Sequence, residues 1–102
     1  MMRCRLPNRR RHEVRSFEFR GFSYTLGFGR FADGSLAEVF LDCSKGSSPL
    51  AADARDAAVC LSIALQYRVP PQAIREAVTR EANGQASGIA GAVLDLLEDA
   101  RQ

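Results

Sequence analysis

The chain has 102 residues, 46% hydrophobic and 25% charged, which is the range of one domain able to bury about two-thirds of its unfolded surface. Its longest apolar run, Ala57–Leu65, is broken by Ser62 and is far shorter than the roughly 20 residues a bilayer span requires. The net charge of +2 hides an asymmetry: six arginines stand against Glu13 in residues 1–15, while the remainder carries eight basic and eleven acidic residues. A basic arm on a mildly acidic body points toward nucleic acid or an acidic partner.

Residues 1–15 read as this arm, and residues 16–102 as a single domain. Leu6 is followed by "PNRRRHEVR" rather than by an apolar stretch, so no secretory leader is expected and the cytoplasm is the expected compartment. From Ser16 the pattern becomes period two. Phe17 and Phe19 alternate with Ser16 and Glu18, Arg20-Gly21 interrupts, and Phe22, Tyr24, Leu26 and Phe28 continue, as in a half-buried strand. Gly27 and Gly29 within that strand predict a bulge or a close backbone approach. Asp33-Gly34 supplies a turn, and "LAEVFL" forms a third strand, giving an antiparallel meander.

The second half supplies helices. Ser48 reads as N-cap and Pro49 as the first helical residue of a helix running to about Arg68, with Leu50, Ala54, Ala57, Leu61 and Leu65 on one face. Val59, Ile63 and Tyr67 lie off that face, so this helix is expected to be central and to join two copies in a homodimer. "VPP" at Val69–Pro71 stops it. A second helix carries Ala73, Ile74, Ala77 and Val78 inward up to Asn83-Gly84, and a third spans Ile89 to about Ala100, with Val93, Leu94, Leu96 and Leu97 inward and Asp95, Glu98 and Asp99 outward. The order βββααα predicts an α+β domain, a three-stranded antiparallel meander covered by three helices.

Little in the chain suggests catalysis. Cys4, Cys43 and Cys60 are odd in number and unpaired by any metal-ligand or redox spacing, and Cys60 is expected to be a small buried hydrophobe. His12 lies among the arginines, outside the expected fold, with no motif placing a nucleophile beside it. The pairs Asp53/Asp56 and Glu98/Asp99 read as solvated helix faces. No catalytic residue, metal or cofactor is therefore expected. "FGRFADG" lacks the strand-to-helix setting of a dinucleotide loop. The loop "DCSKGSSPLAAD" is the better candidate, because Lys45, the amides of Gly46, Ser47 and Ser48, and a helix N-terminus together could cradle an anion. Its plain alternative is a capping loop with one surface lysine. Arg5, Arg9, Arg10 and Arg11 of the arm could neutralise phosphates, although no aromatic residues are interleaved to stack on bases.

The segments "RLPNRR", "GFGRFADGSLAEVFLDCSKGSS" and "AVCLSIALQYRVPPQAI" occur in an order that resembles the C-terminal, TSCPD-type region of adenosylcobalamin-dependent (class II) ribonucleotide reductases. The likeness covers roughly residues 5–74. The end, Thr79 to Gly88, is similar to the "TR-x-x-x-G-x-ASG" segment of short stand-alone versions found in bacterial genomes and prophages. In those enzymes the radical barrel, the thiyl cysteine, the cobalamin site and the allosteric nucleotide sites lie elsewhere, so the resemblance implies no reductase activity for 102 residues. The cysteines that give the TSCPD motif its name have no counterpart, since none follows Cys60. Three readings follow: a non-catalytic module binding a partner protein or a nucleotide-related anion, a nucleic-acid-binding accessory using the arm, and an unrecognised small enzyme.

Overall fold

Period-two alternation is realised as three strands in the computed structural model, which describes residues 12–46 and 48–100. Strand β1 spans His12–Phe19, β2 Phe22–Arg30 and β3 Leu36–Cys43, in the order β1-β2-β3, all antiparallel. Helices follow at Pro49–Gln66 (α1), Pro71–Ala77 (α2) and Ile89–Ala100 (α3), so the molecule is an α+β fold. β1 begins at His12, and His12, Glu13, Val14 and Arg15 therefore belong to the sheet rather than to an arm. The boundary misreads because charged side chains hide a strand whose faces carry little apolar load.

Arg20 and Gly21 both hold positive φ, 51° and 82°, which is the mirror-image turn that matches strand twist. Gly34 turns the chain at φ 89°, and Asp33 Oδ1 accepts from the Ser35 amide at 2.9 Å. The bulge anticipated near Gly27 and Gly29 occurs as a register shift between Gly29 and Arg30. On one face of the sheet, Tyr24, Leu26 and Phe28 of β2 pair with Cys43, Leu41 and Val39 of β3 and form the core with Ala51, Ala54, Ala58, Leu61 and Leu65 of α1 and Val93, Leu94 and Leu97 of α3. The α1 stripe is thus rotated from the expected one: Ala51 and Ala58 are buried, whereas Leu50 and Ala57 sit at its margin. Cys60 is exposed, contrary to expectation, and Cys43 is the buried thiol.

α2 ends at Ala77 rather than near Asn83, and none of its residues is fully buried. Val78 turns to extended backbone, and residues 80–86 form a small hairpin closed by the Arg80–Ala86 bridge. Leaving the helix early lets Arg80 return to α3. Its guanidinium grips Asp95 with two hydrogen bonds, 2.8 and 2.9 Å, while Arg75 Nε donates to the same carboxylate at 2.6 Å. Asp95, expected to face outward, is instead the half-buried pin joining α2, the hairpin and α3.

Candidate functional site

Of the residues expected to cradle an anion, Lys45 and Gly46 are exposed and Ser48 is half-buried, while Ser47 lies outside the described residues. The Ser48 hydroxyl is already engaged. It accepts from the Ala51 amide at 3.2 Å and donates to the Lys45 carbonyl at 2.7 Å, and the Ser48 amide donates to the same carbonyl at 3.0 Å. The loop is therefore built as an N-cap for α1. Arg5, Arg9, Arg10 and Arg11 also lie outside the described residues.

A larger feature forms where α1 runs beside β3. Backbone groups along an antiparallel pair alternate between the two neighbours, and Ser23 of β2 accepts from Ser44 at 2.9 Å, so Ala37 and Val39 direct theirs away from β2. There they meet α1. Ser62 Oγ accepts from the Val39 amide and donates to its carbonyl, both at 3.0 Å, and Gln66 Nε2 donates to the Ala37 carbonyl at 3.4 Å. The serine that interrupts the apolar run thus stands in for a missing strand.

Above this seam opens a groove of about 500 Å³ bordered by Phe40, Val59 and Ile63. These three side chains are 50%, 55% and 39% exposed, and Arg55 and Asp42 form an ion pair at 3.6 Å on the rim. A second hollow, about 430 Å³, continues across the outer face of the sheet and shares Phe40 and Asp42. Two glycines shape that face. The Phe40 ring packs against Gly27, where an added Cβ would lie 3.7 Å from the ring, and at Gly29 a Cβ would press Glu38 Oε2 at 3.1 Å and His12 at 3.3 Å. Glu38, 3% exposed, lies 3.1 Å from His12 Nε2, so His12 is a structural partner within the sheet and not an outlying residue.

Two carboxyls are held below their ordinary range. Hydrogen bonds from Arg80, joined by those from Arg75, bring Asp95 to about 2, and hydrogen bonds from Ser35, with Arg68 nearby, lower Asp33. Burial, with Cys43 adjacent, raises Tyr24. Both lowered acids serve structural contacts. Among the described residues no group of three or more His, Cys, Asp or Glu side chains could hold a metal ion, and no helix is long and apolar enough to cross a membrane.

Sequence reasoning missed Phe40 and Glu38 as features of this surface. The signal was present in "LAEVFLDC", whose alternation places Glu38, Phe40 and Asp42 on the face opposite Val39, Leu41 and Cys43.

Comparison with known proteins gives two matches. The vitamin B12-dependent ribonucleotide reductase of Agrobacterium fabrum is 35% identical over 77 residues, covering 76% of this chain and 6% of the enzyme. That of Bradyrhizobium diazoefficiens is 32% identical over 68 residues, covering 67% of this chain and 5% of the enzyme. The chain is a homologue of a reductase segment. The match is consistent with a C-terminal reductase-like region, and the chain spans about one-twentieth of the length of these enzymes. No family model and no solved structure gives a significant match.

Proposed function

We propose that this reductase-like chain is a non-catalytic module that docks on a partner protein through the β3–α1 groove. The observation that carries the reading is the exposure of Phe40, Val59 and Ile63 around one open groove with an ion pair at its rim, an apolar centre with a polar margin. The counterpart of this chain is part of a far larger enzyme, so a complementary surface is expected within that enzyme. The anion-binding reading at Lys45, Gly46, Ser47 and Ser48 takes second place, because the Ser48 hydroxyl already caps α1.

Titration calorimetry of the purified chain against a vitamin B12-dependent ribonucleotide reductase lacking its own matching segment tests the proposal. Binding is expected, with Val59→Asp/Ile63→Asp weakening it about tenfold or more while circular dichroism stays unchanged. Absence of heat, or binding indifferent to the double substitution, ends this reading. Nucleotide binding abolished by Lys45→Ala would put the anion site in its place. Salt-sensitive binding of labelled DNA, lost on deleting residues 1–11 so that β1 is kept whole, would assign the function to Arg5, Arg9, Arg10 and Arg11.

A further inference from the structure

Among the described residues β1 has a strand neighbour on one side only, and none of its eight residues is fully buried. The Arg20-Gly21 turn has two residues, so Phe19 and Phe22 form a hydrogen-bonded pair, and alternation then directs the odd-numbered residues of β1 toward β2. His12, Val14, Ser16 and Glu18 consequently aim their amides and carbonyls outward. The same alternation, carried across β2, predicts the outward groups at Ala37 and Val39 that Gln66 and Ser62 meet. Among the described residues nothing plays that role for β1.

We propose that a second copy of this chain pairs antiparallel with the outer edge of β1, Val14 opposite Val14 across a two-fold axis, making one continuous six-stranded sheet. A two-fold axis normal to the sheet keeps both core faces on the same side, and the outward groups of His12, Val14 and Ser16 then meet their equivalents in register. Charge selects among the registers. With Val14 on the axis, Glu13 stands opposite Arg15 of the second copy, and this ion pair occurs twice, in the closer, non-hydrogen-bonded positions of the new ladder. A register centred on Arg15 opposes two guanidinium groups, and one centred on Ser16 sets Arg15 against Phe17 and matches no opposite charges.

The outer face agrees with the same choice. Val14 is 69% exposed and pairs with Gly27, which pairs with Phe40. Joining two copies at Val14 makes a single apolar stripe from one Phe40 to the other. The β3–α1 groove lies on the far side of each sheet and stays open, so this interface is independent of partner docking there.

Sedimentation equilibrium of the full chain over a concentration series is the test. A species of twice the 11.2 kDa chain mass is expected. Val14→Pro should raise the dissociation constant about tenfold or more, because proline removes an outward amide that the β1–β2 ladder does not use and so leaves the protomer folded. Glu13→Arg alone should weaken the dimer about tenfold, and adding Arg15→Glu should restore it, an outcome that does not depend on how proline is tolerated. A monomer at every concentration overturns the proposal. So does a dimer that survives both Val14→Pro and Glu13→Arg, or one dissolved by Ile63→Asp and untouched by Val14→Pro.

Discussion

Along β3 the outer edge of the sheet meets a helix, and along β1 it meets nothing among the described residues. On the β3 side, Ser62 satisfies both backbone groups of Val39, Gln66 reaches Ala37, and the flanking Leu36, Val39 and Leu41 are buried. On the β1 side, charged and polar side chains alternate with Val14 and two half-buried phenylalanines. The contrast teaches that a small domain with one helical layer can close one sheet edge within the chain, while the other is left for an external strand or for protection by charge.

Core loss under the covered edge should have the largest effect. Leu61, 5% exposed beneath β3, should cost roughly 2–5 kcal/mol when changed to alanine, read as a shift in urea midpoint at constant m. A comparable truncation at Val14 should leave protomer stability nearly unchanged, since its side chain is mostly in water.

Removing the covering hydroxyl comes next. Ser62→Ala leaves the outward Val39 amide and carbonyl without their partner and should cost about 1–3 kcal/mol. Ser16→Ala on β1, at a residue that caps no strand, should fall within about 0.5 kcal/mol. Equal losses at the two serines would erase the distinction between the edges.

The Asp95 pin lies away from both edges and supplies an internal standard. Its carboxyl, lowered from 3.8 to about 2, contributes stability that is present above about pH 4 and is lost as the pH falls toward 2. Allowing for the 30% exposure of the side chain, that contribution is on the order of 1–2 kcal/mol. Asp95→Asn should remove it and flatten the acid limb of the stability curve, measured by urea melts at successive pH values. An unchanged acid limb would show that the two arginines do not hold Asp95 in its ionised form.

A smaller effect than at Asp95 is expected at Gly29, where alanine must displace Glu38 or His12 by a few tenths of an ångström. A loss of about 1 kcal/mol or less is anticipated, with the thermal midpoint as readout. A neutral result would mean that the His12–Glu38 contact yields freely.

Much of this architecture was legible along the chain. Period-two alternation in Phe22–Phe28, the Arg20-Gly21 and Asp33-Gly34 turns, the Ser48-Pro49 start and the Ile89–Ala100 helix all appear where local chemistry placed them. The misread residues share a cause. His12–Arg15, Cys60 and Asp95 each depend on which neighbour arrives from a distant segment, and hydropathy does not report that neighbour. The candidate site was less legible still: Lys45 and Ser48 were singled out for an anion, yet the Ser48 hydroxyl caps a helix, and the groove of Phe40, Val59 and Ile63 assembles from β3 and α1.

By itself the sequence determined the order βββααα, the turns and caps, and the likeness to a reductase segment, because these rest on residues adjacent in the chain or on motifs in fixed order. Tertiary structure alone decided that Ser62 seals one sheet edge while β1, among the described residues, leaves the other open, that Arg75 and Arg80 converge on Asp95, and that three exposed apolar side chains share one groove. Each of these depends on groups 15 or more residues apart meeting at ångström distances, which local propensity does not specify.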